Sequence, residues 1–244
     1  MILRQFLHAD PVGLSYLFGC GGKAAAAVVD PVGEIAPYLD AARSTGVRIR
    51  YVVDTHIHAD HRSAGPELAA AVGAEYVLFA GAETARPFRG VRDRDVLPLG
   101  NVSVDVLHTP GHTPEHVSLL VTDRTRSDEP WFVVTGHTLM VGDVGRTELA
   151  ASAEEGARIL FDSLQRLKAL PEHLEVLPGA YSGSVCGRSL SGKPTSTIGF
   201  ERRHNAAFRI DDEDEFVRVM LSEIPPPPPL AAELRAANAG LTVV

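Results

Sequence analysis

Three imidazoles and one carboxylate lie within six consecutive residues of this chain, His56-Ile57-His58-Ala59-Asp60-His61. The stretch comes soon after Tyr51-Val52-Val53, an apolar run of the kind that forms a buried strand. Histidine nitrogens and carboxylate oxygens are ligands that zinc, iron and manganese accept. A solvated polar loop would rarely concentrate three histidines in this way, so the stretch predicts a metal site.

Length and composition narrow the class of protein. The 244 residues fit one large domain or two small ones, and 45% of them are hydrophobic, which is enough for a substantial core. The net charge of −8, without a Lys/Arg cluster, argues against a nucleic-acid partner. No secretory signal and no run long enough to cross a bilayer is visible, so no membrane partner is expected. Cys20 and Cys186 suggest no disulfide framework, and the expected compartment is a reducing cytoplasm.

Short apolar runs alternate with amphipathic stretches, which predicts an α/β protein. Strands are predicted at Ser15–Phe18, Ala25–Val29, Arg50–Val53, Tyr76–Phe79, Val102–Leu107, Val117–Val121, Trp131–Val134 and Glu175–Leu177. Helices are predicted at Ile35–Ser44, Gly65–Val72, Ala153–Ala169, Asp212–Ser222 and Ala231–Ala239. Ser152 and Glu155 have the spacing of a capping box at the start of the third helix. Residues 225–229 are all proline and predict a stiff connector before the last helix.

Three of the predicted strands are each followed by a histidine: His56, His112 and His137. In a layered α/β domain, side chains at the ends of neighbouring strands converge on one edge of the sheet, a usual place for an active site. Gly111 and Gly136 precede two of these histidines and would allow tight turns close to an ion. We therefore expect one metal centre built from three separate loops.

Several ordered motifs resemble the metallo-β-lactamase superfamily, in particular its persulfide dioxygenases and glyoxalase II-type thioester hydrolases. The motifs are His56–His61, Thr109-Pro110-Gly111-His112-Thr113 and Gly142-Asp143-Val144-Gly145-Arg146-Thr147. Two later segments, Ser184-Val185-Cys186-Gly187 and 196–205, are similar to the persulfide dioxygenase side. The resemblance implies an αββα sandwich, in which two mixed sheets are flanked by helices and metals lie at one edge. This domain would span residues 1–224, and residues 225–244 would form the proline-rich connector and C-terminal helix.

Two departures from the family pattern bear on the metal. Most relatives have Asp where this chain has His137, and they have a His after Pro-Gly where this chain has Ala180. The resemblance then implies that the second metal position keeps Asp60 and His61 but loses two ligands. The first position keeps three candidates and gains His137. We predict one divalent metal per chain, with its ligands among His56, His58, His112 and His137. In the persulfide branch the second histidine of the motif does not always bind the metal, so the roles of His58 and His61 stay open.

Other residues are candidates for catalysis or support. Asp60 is a general base, a hydrogen-bond partner for a metal-bound histidine, or a vestigial ligand. His61 is a weak ligand or a hydrogen-bonding neighbour. Arg146 contacts an anionic substrate or forms a structural ion pair, and Tyr181 shapes the pocket or donates a hydrogen bond. Cys186 is expected to be a small core residue. The remaining histidines are expected to be structural or on the surface: His8, His108, His116, His173 and His204.

The ligand set suits more than one reaction. Replacing a carboxylate by imidazole makes the complex one unit more positive, and three histidines suit either iron or zinc. The leading hypothesis is a mononuclear nonheme iron(II) oxidoreductase of the persulfide dioxygenase type, which oxidises a thiol or persulfide with dioxygen. The alternatives are a zinc-dependent hydrolase of a thioester or related acyl bond and a retired metal-binding fold. The expected partner is a small sulfur compound. The loop Arg124–Pro130 and the tail from Pro225 are candidates for shaping the pocket or for an oligomer contact, which would make a homodimer.

Overall fold

Two six-stranded mixed sheets form the centre of the protein in a computed structural model, which describes residues 1–148, 152–222, 224, 226–228 and 230–241. In chain order, the first sheet contains β1 (Ile2–Ala9), β2 (Val12–Cys20), β3 (Ala25–Val29), β4 (Arg48–Val53), β5 (Glu75–Phe79) and β6 (Arg89–Val91). Strands β1 to β3 are antiparallel, and β3 to β6 are parallel.

The second sheet has the strand order β14-β13-β10-β9-β8-β7. Its strands are β7 (Val96–Leu99), β8 (Val102–His108), β9 (Val117–Asp123), β10 (Phe132–Gly136), β13 (Glu175–Pro178) and β14 (Ser196–Thr197). Among the described strand pairs of this second sheet, β10 and β13 are parallel and the other pairs are antiparallel. A small antiparallel hairpin, β11 (Leu139–Met140) and β12 (Asp143–Val144), follows β10.

Six helices are described: α1 (Ala36–Thr45), α2 (Gly65–Val72), α3 (Ala153–Lys168), α4 (Ile198–His204), α5 (Glu213–Ser222) and α6 (Ala231–Asn238). Helix α3 begins at the predicted cap, where Ser152 Oγ accepts a hydrogen bond from the Glu155 N–H at 3.3 Å. Helix α2 ends at Gly73, whose φ of +65° suits glycine. Among the described helices, none has the length and apolar character needed to cross a bilayer.

Three apolar clusters show how the layers are stacked. The largest contains residues from both sheets, such as Phe18 of β2 and Phe132 of β10, which meet edge to face at 5.4 Å. A second cluster joins the outer face of the first sheet to α1 and α2, and a third joins the second sheet to α3 and α5. Burial of these faces is the main favourable contribution to folding. The layers therefore run helix, sheet, sheet, helix, and the predicted αββα sandwich is confirmed.

All eight predicted strands and five predicted helices are present, with bounds that differ by three residues or fewer. Seven elements were not predicted: β1, β6, β7, β11, β12, β14 and α4. Most of these are short. Strand β1 lies at the edge of its sheet and its residues are mostly half-buried or exposed, so it lacks a strong alternating pattern.

Candidate metal centre

The ends of three strands bring together His56, His112 and His137. His56 follows β4 in the first sheet. In the second sheet, His112 follows β8 and His137 follows β10. One ring nitrogen from each histidine lies within 4.8 Å of the other two. The three side chains are buried, with residue exposures of 1%, 2% and 1%. The expected convergence of strand ends is therefore observed, at the edge where the two sheets meet.

For His56 and His112, hydrogen bonds at the outer nitrogen fix which nitrogen of the ring faces the centre. The Nδ1–H of His112 donates to the Arg146 carbonyl at 2.7 Å, since a carbonyl can only accept, and this leaves Nε2 with a lone pair. Thr55 Oγ1 donates to Asp30 Oδ2 at 2.8 Å and so accepts from His56 Nδ1 at 3.0 Å. His56 Nε2 is then a bare acceptor. It is buried and has no hydrogen-bond partner among the described residues.

The third nitrogen, His137 Nδ1, lies 3.3 Å from His112 Nε2. Two ring nitrogens that face each other in a buried site need a shared proton or a cation between them. Burial lowers the pKa of His112 to about 3 and the pKa of His137 to about 4, and it lowers the pKa of His56 well below its usual value. All three rings are therefore neutral at physiological pH, which is the form that binds a metal.

Main-chain geometry around His137 depends on Gly136 and His116. The His137 N–H donates to His116 Nε2 at 3.0 Å, and the His116 ring stacks on His56 at 5.0 Å. Gly136 has a φ of +49°, and a Cβ there would lie 2.5 Å from His116 Nε2. Only glycine fits this turn without displacing its neighbours. His116 is thus a buried supporting residue.

The fourth predicted ligand, His58, lies beside the other three with its ring centroid 4.1 Å from that of His56. Its ligand nitrogen groups with Asp60 and His61 instead. His58 Nε2 lies 3.2 Å from Asp30 Oδ1, while its Nδ1 is buried without a hydrogen-bond partner in the described part of the chain. Burial alone would lower the pKa of His58, but Asp30, with Asp54 and Asp60, outweighs burial and raises it to about 9.

Asp60 and His61 form a close pair, with Asp60 Oδ1 at 3.0 Å from His61 Nδ1. Burial raises the pKa of Asp60, but the surrounding histidines, His61 first, outweigh burial and hold it well below its usual value. His61 Nε2 is buried and has no hydrogen-bond partner among residues that the structure describes. An anionic carboxylate therefore lies beside the three neutral imidazoles.

Cys186 was expected to be a small core residue, and that interpretation was incomplete. The residue is buried, but its sulfur belongs to a group with Asp60 and His137 in which the ligand atoms lie within 4.8 Å of one another. Burial raises the pKa of its thiol well above the usual value. The motif around Cys186 was noted in the sequence, but its loop between β13 and β14 has no periodicity that would have placed it here.

Arg146 and Tyr181 make contacts of a structural kind. Arg146 is buried, forms an ion pair with Glu148 and donates to the carbonyls of Val185 and Pro226 at 3.0 and 3.1 Å. The sequence left two roles open for Arg146, contact with an anionic substrate and a structural ion pair. The contacts observed are those of a structural ion pair. Tyr181 OH donates to the main-chain carbonyl of His8 at 2.9 Å. Its hydroxyl therefore ties the segment after β13 to β1.

Comparison with known proteins agrees with this architecture. The model of the metallo-beta-lactamase superfamily matches residues 10–179. A hydroxyacylglutathione hydrolase of Rhodospirillum rubrum is 30% identical over 82% of this chain and 83% of its own. The human mitochondrial persulfide dioxygenase ETHE1 is 26% identical over 90% of this chain and 80% of its own. The crystal structure of ETHE1 from Myxococcus xanthus superposes with a TM-score of 0.83 at 30% identity, covering 98% of this chain and 99% of that one. Because the fold, the histidine loops and the match to the family model agree, this chain belongs to the metallo-β-lactamase superfamily.

Proposed function

We propose that the protein is a mononuclear iron(II) oxidoreductase of the persulfide dioxygenase type, with His56, His112 and His137 as the metal ligands. The observation that carries the proposal is the convergence of three buried, neutral imidazoles whose inner nitrogens face one another. The likeness to ETHE1, a persulfide dioxygenase, supports the choice of reaction.

A single ion is proposed because the neighbouring position is poorer in ligands. Ala180 is buried and has no ligand atom, and His137 replaces the carboxylate that bridges two metals in hydrolases of the resembling family. His58, Asp60 and His61 remain there as a group of possible ligands. They are already engaged elsewhere, because Asp60 pairs with His61 at 3.0 Å and His58 pairs with Asp30 at 3.2 Å. When bound, the ion would supply redox chemistry and a common site for the substrate sulfur and dioxygen.

The protein side chains would select and prepare the substrate. Three neutral ligands leave the charge of a divalent cation uncompensated by the ligands themselves, which favours an anionic sulfur over a neutral one. A carboxylate oxygen of Asp60 lies within 4.8 Å of a ring nitrogen of His137, and we assign it a hydrogen bond from the proton of a substrate thiol, with His61 Nδ1 holding the carboxylate in place. Burial of the histidines excludes bulk water from this step.

Hydrolysis of a thioester is the second candidate, and one observation favours it. The R. rubrum hydroxyacylglutathione hydrolase is 30% identical to this chain, which equals the identity of M. xanthus ETHE1 and exceeds the 26% of the human persulfide dioxygenase. In this case zinc would occupy the same three histidines and lower the pKa of a water molecule.

The two candidates are distinguished by loading metal-free protein with either iron(II) or zinc(II) under anaerobic conditions. Each form is then assayed for oxygen uptake with glutathione persulfide and for hydrolysis of a glutathione thioester. We expect oxygen uptake that requires both iron and the persulfide, because the substrate and dioxygen must meet at one ion. Thioester turnover by the zinc form without oxygen uptake by the iron form would replace the proposal by the hydrolase.

A further inference from the structure

The C-terminal helix α6 contacts the main chain of the histidine loop, residues 54–64, which lacks regular secondary structure. Asn238 is 8% exposed and lies at the end of this helix. Its side-chain Nδ2 donates to the carbonyls of His58 and His61 at 2.8 and 2.7 Å, and its Oδ1 accepts from the Ser63 N–H at 3.0 Å. One amide therefore satisfies three main-chain groups of the loop.

Arg235, one turn earlier in α6, joins the same loop to a second one. Its Nη1 donates to the Ile57 carbonyl at 2.9 Å, and its guanidinium pairs with both carboxylate oxygens of Glu115 at 3.2 Å. Glu115 Oε1 also accepts from the Ile57 N–H at 2.9 Å. Glu115 is three residues after His112, so Arg235 connects the loops that supply His56 and His112.

Helix α6 is itself fixed to the body of the domain. Arg86 donates to the carbonyls of Ala237 and Asn238, each at 2.8 Å, and Thr84 Oγ1 donates to the Ala239 carbonyl at 2.8 Å. These bonds satisfy carbonyls at the end of the helix that have no partner within it. The helix can therefore act as a rigid support and not as a loose tail.

We propose that Asn238 and Arg235 are positioning residues of the metal centre. The carbonyls of Ile57, His58 and His61 accept hydrogen bonds from side chains of α6, so the shape of this part of the loop depends on those side chains. Here those groups come from a helix about 180 residues later in the chain. The inference rests on the metal centre of the proposed function, but it does not depend on the reaction that the metal supports. Groups that hydrogen-bond metal-binding side chains typically contribute about 10–100-fold to metal affinity. We expect Asn238 and Arg235, which hold the main chain of the loop, to act at the lower end of this range.

The test measures cobalt(II) binding by the metal-free full-length protein, since the visible spectrum of cobalt reports its coordination geometry. Asn238→Ala removes all three hydrogen bonds without a change in charge. Glu233→Ala is the matched control, because Glu233 is an exposed residue of the same helix. We expect Asn238→Ala to weaken cobalt affinity by about 10-fold or more in chelator competition and to shift the cobalt bands, while the control does neither.

A folded Asn238→Ala protein with the affinity and spectrum of the wild type would overturn the proposal. If Asn238→Ala does not fold, Arg235→Gln is measured in the same way and judged by the same two results. If both variants fail to fold even with cobalt, α6 is a folding element only and the proposal is wrong. A wild type that binds cobalt but, loaded with iron, consumes no oxygen with the persulfide would contradict the proposed reaction and leave this inference standing.

Discussion

Replacement of His137 by alanine is expected to remove most of the metal from the protein. His137 supplies one of three nitrogens that converge within 4.8 Å, and the two that remain would bind a divalent ion weakly without help from water or substrate. We expect metal affinity to fall by at least roughly 10–100-fold, and the metal content after gel filtration to fall with it. Metal analysis of the purified variant beside the wild type checks the prediction.

Two further variants make this result specific. His204→Ala removes an exposed imidazole at the end of α4 that contacts the Phe200 ring, and it should leave the metal content unchanged. His137→Asp keeps a ligand atom at the position and restores the residue found in most of the resembling family, so it should retain the ion. Undiminished metal in His137→Ala would show that the ligands are assigned wrongly.

Asp30→Asn should lower the free energy of unfolding strongly, because the Asp30 carboxylate is the centre of a buried hydrogen-bond network. Asp30 is 2% exposed and accepts from the N–H and Oγ1 of Thr55 at 2.7 and 2.8 Å, while it pairs with His58. Removing one partner of a buried ion pair typically costs about 3–5 kcal/mol. Urea denaturation of the metal-free variant at neutral pH measures this loss. Asp40→Asn, at an exposed pair with Arg43, should change the free energy of unfolding by less than about 0.5 kcal/mol.

The same ion pair predicts how stability depends on pH. The pKa of His58 is raised from 6.5 to about 9 in the folded, metal-free protein, where Asp30 outweighs the effect of burial. A raised pKa means that the pair contributes fully below 6.5 and is lost as the pH rises through about 9. The free energy of unfolding of the wild type should therefore fall over this range, and that of Asp30→Asn should fall much less. Parallel pH profiles of the two proteins would contradict the pairing of His58 with Asp30.

Much of the fold could be predicted from the sequence because the elements that build it are locally encoded. The apolar runs of β4, β8 and β10 are continuous, and each is followed by a histidine whose position along the chain fixes its place at the sheet edge. The capping serine and the glycine at the end of α2 mark helix ends for the same local reason. Strand β1 was missed because its residues are mostly half-buried or exposed at the edge of the sheet, so its sequence lacks a clear hydrophobic pattern.

The remaining features of the site depend on contacts between distant parts of the chain, which the sequence does not predict. Cys186 reaches the centre through an irregular loop, and Asn238 holds the main chain of the histidine loop from a helix about 180 residues away. The spacing of residues in the sequence does not determine whether Arg146 faces the cleft or pairs with Glu148, because this depends on how the loop packs. His58 has the motif of a ligand, yet its ring pairs with the buried Asp30, which follows β3, the strand beside β4.

The measurement that tests the central claim most directly is metal analysis of wild-type protein purified anaerobically without added metal, with the ratio of metal to protein determined. The proposed function, with one ion held by three buried histidines, predicts about one iron ion per chain. One zinc ion per chain would contradict the iron assignment and favour the hydrolase. Two metal ions per chain would contradict the claim that this site is mononuclear.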